Sequence, residues 1–173
     1  MDELESRGGT SAEVKQLISF TVGAEEYGLE LLRVKEVIRM HQITWLPKAP
    51  FSVKGIINLR GDVIPIVDLR DRFGLEAAEH TNMTRVIVVE VEGRPIGMVV
   101  DSASQVVRIP SDQIEPPPPV MGGISRELIT GVGKMDDRLI ILLDVDQILT
   151  GDELRQIANG ADESAAVSVA IQD

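Results

Sequence analysis

The sequence predicts an all-β fold made of two small barrels, each of about five strands. Three observations support this prediction: short runs rich in valine and isoleucine recur along the chain, turn residues separate them, and the two halves resemble each other. Aromatic residues make up only 3% of the 173 residues, so we expect an aliphatic core. A chain of this length can bury such a core in one domain or in two small ones.

The first strands are predicted in the N-terminal part of the chain. Leu17–Val22 and Tyr27–Leu32 are β-rich runs on either side of a polar turn, and both predict strands. A helical turn over Leu31–Val34 leads into a further strand at Lys35–Met40. Residues 45–50 contain two prolines and predict a loop, because proline disfavours both strand interiors and helices.

Two later parts of the sequence predict hairpins. Arg85–Val91 and Arg94–Val100 are joined by Glu-Gly, and Leu128–Met135 and Arg138–Leu143 are joined by Asp-Asp. Val106–Ile109 predicts a separate strand between the two hairpins. Four consecutive prolines then predict a stiff loop before the second hairpin begins.

The two ends of the chain are expected to contribute little to the core. Residues 1–14 are polar and acidic and predict a disordered arm, and residues 159–173 predict an acidic tail. The folded domain is therefore expected over residues 15–158. Near its end, Asp146 is placed to cap a short C-terminal helix that continues through Ile157.

An internal repeat is the reason for predicting two barrels rather than one. Two pairs of segments match along the chain, 27–40 with 96–109 and 53–69 with 129–145. The second pair aligns without gaps and places Gly55 opposite Gly131. Chance similarity between aliphatic strands is the alternative explanation, but the matches occur in order and are nearly collinear. Each half then holds enough strands for a small closed barrel, which leaves no exposed strand edge.

A charged triplet, residues 60–62, interrupts two apolar runs and predicts a hairpin turn. The repeat places residues 136–138 at the same point of the second half. Gly61 adopts a positive φ without cost, and we expect Asp137 to tolerate one. Because the counterpart of Arg60 is acidic, the turn itself does not require an arginine. Arg60 is therefore available for a role outside the fold.

Composition argues against several classes of function. The formal net charge is −11, which opposes binding to nucleic acid or anionic lipid because both are themselves negatively charged. The chain has no cysteine, and therefore no disulfide, thiol nucleophile or thiolate metal site. It shows no signal-peptide pattern and no run of about 18 apolar residues. We therefore expect a cytoplasmic protein without direct membrane contact.

The residue types that usually carry chemistry do not form a recognisable site. His41 and His80 lie in separate loops without metal-ligand spacing. Asp144 starts a run that resembles a calcium loop, but Ile148 stands where an oxygen ligand is needed. Asp68 and Asp144 match across the repeat, and capping of nearby backbone N–H groups explains both. No catalytic residue, metal or cofactor is predicted.

The run KGIINLRGDVIPIVDLRDRFG at residues 54–74 resembles the CheW-like family of chemotaxis coupling proteins. Other segments resemble the same family in the same order: QLISFTVGAEEYGLEL, LRVKEVIR, TWLPKAPFSVKG, IGMVVDSASQVVRI and LIILLDVDQIL. The resemblance covers roughly residues 15–150. It implies two five-stranded SH3-like β-barrel subdomains packed together, with a short C-terminal helix. It also implies an adaptor without enzymatic activity or cofactor.

The resemblance also implies partners and a binding site. The partners would be the cytoplasmic tip of a methyl-accepting chemoreceptor and the regulatory domain of the histidine kinase CheA, in arrays at the membrane. The matching receptor-binding positions are Val34, Glu36, Leu59, Arg60, Val99 and Val100. The apolar members would line a groove for a receptor helix, and the charged pair would orient it. Ordinary barrel core is the alternative role for the apolar members, and solvated surface charge for Glu36 and Arg60. Gly55 and Gly61 are predicted to be structural turn residues.

Three other functions stay open at this point. The first is an adaptor in a chemotaxis-like pathway whose output is not motility. The second is a sensor domain that binds a small molecule in an apolar pocket, which would need converging polar groups in one cavity. The third is an enzyme that uses paired aspartates, which would need strongly perturbed carboxylates in a cleft.

Overall fold

The protein is described by a computed structural model that covers residues 13–40, 43–45, 53–118 and 126–149. The strands within these ranges are β1 (Val14–Val22), β2 (Glu25–Glu30), β3 (Val34–Arg39), β4 (Thr44–Trp45), β5 (Val53–Leu59), β6 (Asp62–Asp68), β7 (Arg85–Val91), β8 (Arg94–Val100), β9 (Ser102–Pro110), β10 (Ile114–Glu115), β11 (Ile129–Met135) and β12 (Arg138–Leu143). A four-residue helix, α1 (Leu69–Arg72), follows β6, and short 3-10 turns cover Leu31–Arg33, Ser111–Gln113, Arg126–Leu128 and Val145–Gln147.

The strands form two six-stranded sheets with the same internal order. One sheet runs β3-β7-β8-β6-β5-β4 and the other runs β9-β1-β2-β12-β11-β10. Each contains five strands of at least six residues and one strand of only two residues at an edge. We call β3–β8 the first subdomain and β1, β2 and β9–β12 the second subdomain. The prediction of two packed SH3-like barrels, each with five main strands, is confirmed.

The subdomains do not coincide with the two halves of the sequence. The hairpin β1–β2 pairs with β12 of the second half, and the hairpin β7–β8 lies between β3 and β6 of the first half. Each half therefore gives its first hairpin to the other barrel, and the expectation that each half builds its own barrel is wrong. If β2 and β3 belonged to the same sheet, they would run parallel, and parallel strands need a long crossover connection. Only Leu31–Arg33 join β2 to β3, so β3 lies in the other sheet.

The described residues form three hydrophobic core clusters, and the largest lies between the subdomains. Strand β7 contributes to two of these clusters, because its side chains point alternately to the two faces of the sheet. Val86 and Val88 point into the core of the first subdomain, and Ile87, Val89 and Val91 pack against the second subdomain. The second subdomain has its own smaller core around Leu17, Ile109 and Ile140. Both faces of β7 and β8 are buried over most of their length, so strict apolar–polar alternation is lost along these two strands.

Gly55 and Gly131 occupy equivalent places, as the repeat predicted. Each lies at a register shift in its strand, beside the two-residue strand at the sheet edge. A Cβ at Gly55 would lie 2.5 Å from the carbonyl oxygen of Thr44, and one at Gly131 would lie 2.9 Å from that of Glu115. The assignment of Gly55 as a turn residue is wrong, because it lies within β5. Its small size permits the close approach of β4.

We expect Gly55→Ala to lower the free energy of unfolding by about 1–3 kcal/mol, because the added methyl group meets backbone that cannot move freely. Gly131→Ala should act in the same direction, with a smaller effect because its added Cβ would lie farther from the nearest carbonyl oxygen. Urea unfolding of both variants measures the difference. A Gly55→Ala protein with the wild-type midpoint would show that β4 does not pack as closely as described.

Two aspartates at strand ends cap the turns that follow them, as expected. Asp68 accepts a hydrogen bond from the Arg70 backbone N–H at 2.9 Å, and Asp144 accepts one from the Asp146 N–H at 3.0 Å. The helical turn after β12 is therefore capped by Asp144, not by Asp146 as predicted, because Asp144 is the last extended residue. The predicted continuation through Ile157 lies outside the described residues. So do His41, residues 1–12 and 159–173, and most of the loop at 45–50.

Two ion pairs connect the subdomains where the chain crosses between them. Arg70, after β6, bonds both carboxylate oxygens of Asp101 at 2.9 and 2.8 Å, and Asp101 also accepts the Gly23 N–H at 2.8 Å. Arg33, between β2 and β3, bonds both oxygens of Asp146 at 2.6 and 3.1 Å. Asp101 is the only residue between β8 and β9. Both ion pairs therefore involve a residue of a connection between the sheets.

Candidate functional site

The turn between β5 and β6 consists of Arg60 and Gly61, whose φ angles are 53° and 91°. Asp62 belongs to β6 and not to the turn. A two-residue hairpin loop favours positive φ, and glycine adopts it freely whereas arginine does so rarely. In the matching turn of the second subdomain Asp136, not Asp137 as expected, has the positive φ, at 54°. The first loop residue has the left-handed conformation in both turns.

Arg60 pairs with Glu36 across the surface of the first subdomain. One guanidinium nitrogen of Arg60, Nη2, donates to Oε2 of Glu36 on the edge strand β3. This hydrogen bond, followed by the charge of Glu36, raises the pKa of the Arg60 guanidinium, so the guanidinium stays charged. The Arg60 side chain remains 70% exposed and that of Glu36 31% exposed. The two charged residues of the predicted site therefore form one accessible ionic group.

Three of the four apolar residues of the predicted site are buried, and the fourth is partly buried. Leu59 and Val99 belong to the core of the first subdomain, and Val100 belongs to the cluster between the subdomains. Val34 is partly buried against that same cluster. Strand pairing places Val99 beside Asp68, at the opposite end of β6 from the Arg60 turn. These residues pack against the core, whereas Glu36 and Arg60 face solvent.

One exposed aliphatic residue next to the Arg60 turn was missed by the sequence reasoning. Val63 is 59% exposed and lies opposite Asn58 in the same hairpin. Alternation gives a signal for Val63, because buried Ile64 and Ile66 set the inward face of β6 near the turn. The surface around Arg60 therefore combines charge with an exposed aliphatic side chain, as protein–protein contacts often do.

The arrangement of the acidic residues gives no support to an enzyme with paired aspartates. Asp68 and Asp144 lie at the ends of strands in different subdomains, and each caps its own turn. Among the described residues, no group of three histidine or acidic side chains is placed to hold a metal ion. None of the described helices has the length and hydropathy of a membrane span.

A cleft of about 230 Å³ lies between β2 and β12, but its lining does not resemble a small-molecule pocket. Lys15 and Glu30 line it and pair with each other at 3.5 Å. Arg33 lines it as well and is held by Asp146. Ligand pockets are mostly apolar with a few polar groups. The cleft therefore does not favour the sensor hypothesis.

The comparison with known proteins agrees with the fold. The family described as "CheW-like domain" matches residues 16–153. The chain is 35% identical to a chemotaxis protein CheW of Klebsiella aerogenes over 147 residues, which are 85% of this chain and 89% of the relative. It is also 35% identical to a chemotaxis protein CheW of Helicobacter pylori, with coverage of 85% and 88%.

A solved structure gives the same result in three dimensions. The scaffolding protein TtCheW of Thermoanaerobacter tengcongensis superimposes with a TM-score of 0.73 at 38% sequence identity, over 79% of this chain and 92% of that one. The family match extends from β1 to beyond β12 and therefore includes both subdomains. The chain therefore belongs to the CheW-like family and is a coupling adaptor of chemotaxis signalling.

Proposed function

We propose that this adaptor couples the cytoplasmic tip of a methyl-accepting chemoreceptor to the regulatory domain of a CheA-type histidine kinase. It acts without catalysis, and its receptor recruits it to arrays at the membrane. The functional unit extends over residues 15–158, close to the range matched by the family. The observation that carries the receptor part of the proposal is the exposed Arg60–Glu36 pair on a turn that does not need arginine.

The pair can orient a helical partner. A guanidinium has five N–H donors in a fixed plane, so Arg60 can keep its bond to Glu36 and also bond acceptors on a receptor helix. Val63, in the same hairpin as Arg60, provides exposed aliphatic surface for the apolar stripe of such a helix. Leu59 and Val99 contribute from the core of the first subdomain, and Val34 and Val100 from the cluster between the subdomains.

We expect Arg60→Ala to weaken binding to a receptor cytoplasmic fragment by about tenfold or more, since charge-assisted hydrogen bonds are the strong ones. Its urea midpoint should match that of the wild type, because the side chain is mostly exposed. Titration calorimetry and urea unfolding measure the two quantities. Gly61→Val should instead lower the urea midpoint, because a β-branched residue resists a φ of 91°.

Arg138→Ala is the matched control for Arg60→Ala. Arg138 is another exposed arginine beside a hairpin loop, in the second subdomain, and it pairs with Glu26 at 3.3 Å. Its loss should leave receptor affinity unchanged. Capture of the kinase regulatory domain should persist in Arg60→Ala, since the proposal assigns Arg60 to the receptor. Wild-type receptor affinity in Arg60→Ala would refute the assignment.

A further inference from the structure

Three hairpins of the described chain place a non-glycine residue in the left-handed region at the start of a two-residue loop. These residues are Arg60, Glu92 and Asp136, with φ angles of 53°, 50° and 54°. Left-handed backbone is unfavourable for residues with a Cβ, so something must hold it in place. The three turns can be compared directly because their loop lengths are equal.

The residue two positions before the loop differs among the three hairpins. In β5 it is Asn58, whose side-chain oxygen Oδ1 accepts the Gly61 backbone N–H at 2.9 Å. In β7 it is Glu90, which pairs with Lys35 at 3.5 Å on a neighbouring strand. In β11 it is Lys134, which pairs with Glu115 at 2.5 Å. Two hairpins thus use this position to contact another strand, and a side-chain bond to the turn is not a general requirement of the fold.

The orientation of the Asn58 carboxamide is determined by the group that it meets in the turn. Gly61 offers an N–H donor, so the carboxamide oxygen must point toward it and the NH₂ group away from it. This bond holds the second loop residue from one side of the hairpin. The strand pairing of Leu59 with Asp62 closes the same loop at its base. The backbone of Arg60 is therefore constrained on both sides.

We propose that Asn58 is a positioning residue: it holds the turn so that Arg60 presents its guanidinium beside Glu36, ready for the receptor. This inference rests on the proposed receptor function of Arg60. Arginine is long and loses much side-chain entropy when it binds, and a fixed backbone reduces the number of arrangements it must give up. Asn58 needs no contact with the receptor for this effect.

The test measures binding of the full chain to a receptor cytoplasmic fragment by calorimetry. Asn58→Ala removes the acceptor and should weaken affinity about three- to tenfold. Asn58→Asp keeps an oxygen in the same place and should retain most of the affinity. Glu90→Ala and Lys134→Ala alter the equivalent position of the other hairpins and should bind like the wild type. Equal losses in Asn58→Ala and Asn58→Asp would count against the bond to Gly61.

A double variant separates positioning from a general structural role. In the Arg60→Ala background, Asn58→Ala should cause no further loss of affinity, because there is no guanidinium left to position. Additive losses would contradict the inference. If Asn58→Ala unfolds, hydrogen exchange of the Gly61 amide in the folded Asn58→Asp variant decides instead: protection like the wild type supports the inference, and lost protection with full affinity overturns it.

The two proposals fail in different ways. Wild-type affinity in Arg60→Ala refutes the receptor function of Arg60 and the inference with it. Weak binding in Arg60→Ala together with wild-type binding in Asn58→Ala refutes only the positioning role.

Discussion

Phe20→Ala is expected to lower the free energy of unfolding by about 3–5 kcal/mol, the usual cost of removing a buried phenylalanine ring. Phe20 lies on β1 with no exposed surface, and its ring stacks on that of Tyr27 with the two ring centroids 5.8 Å apart. The ring centroid of Tyr27 in turn lies 5.0 Å from that of Phe73, and Phe73 follows α1 in the first subdomain. The three rings therefore connect the two subdomains. Burial raises the pKa of the Tyr27 hydroxyl to about 12, so it stays neutral in this cluster.

The effect of Phe20→Ala should reach the first subdomain although Phe20 belongs to the second. Trp45 is the single tryptophan of the chain and lies on β4 of the first subdomain. Its fluorescence and far-UV circular dichroism should therefore report the same urea transition, and both should shift together. Val106→Ala, at a site 47% exposed on β9, is the control and should change stability by less than about 0.5 kcal/mol. An unshifted Trp45 transition would mean that the subdomains unfold independently.

The hairpins and the repeat could be predicted because their signals are local. Residues 85–100 form the two strands and the two-residue loop that the sequence indicated, with no difference in boundaries. Gly55 and Gly131 are equivalent because each faces a backbone that leaves no room for a Cβ. Short-range patterns of β-branched residues and turn residues determine such features almost completely.

The exchange of hairpins between barrels could not be predicted from those local signals. Which strand pairs with which is a long-range choice, and the matching halves made two assignments look equally good. The connections did contain a signal: Leu31–Arg33 and the single residue Asp101 are too short for a parallel crossover. They force β2 and β8 to continue directly into the other sheet.

The predicted site combined residues of two different kinds. Arg60 could be identified because the second turn does without an arginine, whereas its pairing with Glu36 depends on barrel closure. Leu59, Val99 and Val100 resembled groove residues, yet they are at most 7% exposed. Strand β8, which carries Val99 and Val100, is buried on both faces, and Leu59 lies on the inward face of β5. The sequence alone does not distinguish a buried face from an open groove. The receptor-binding role of all six residues stays a prediction.

The two ion pairs between the subdomains are related by the repeat with their charges inverted. A shift of 76 residues carries Arg70 onto Asp146, and a shift of 69 carries Arg33 onto Ser102, next to Asp101. At the first junction Arg70 follows strand β6, and Asp101 lies in the connection between the two sheets. At the second junction Asp146 follows strand β12, and Arg33 lies in the connection. The chain therefore has an arginine after the strand and an aspartate in the connection at one junction, and the opposite arrangement at the other.

Both aspartates should contribute to acid sensitivity. Burial opposes ionisation of Asp101, but the bonds from Arg70 and the Gly23 N–H outweigh it and lower the pKa. The bond from Arg33 lowers the pKa of Asp146. A carboxyl with a lowered folded pKa contributes stability that is present above its unfolded pKa, 3.8 here. That contribution is lost as the pH falls through the lower folded pKa.

Reversal of the charges at one site provides the test of these ion pairs. Arg70→Asp and Asp101→Arg should each lower the free energy of unfolding by about 1–2 kcal/mol. This estimate is below the cost of breaking a fully buried pair, because the side chains are 23% and 32% exposed. The double variant should recover at least half of the summed loss. The same charge order occurs at the other junction, between Arg33 and Asp146, although the repeat places Arg33 at Ser102 and not at Asp101. Urea unfolding at neutral pH gives all four free energies. If the double variant is as unstable as the sum of the single losses, the bonds to Gly23 and to the Glu76 carbonyl, rather than the ion pair, hold this junction.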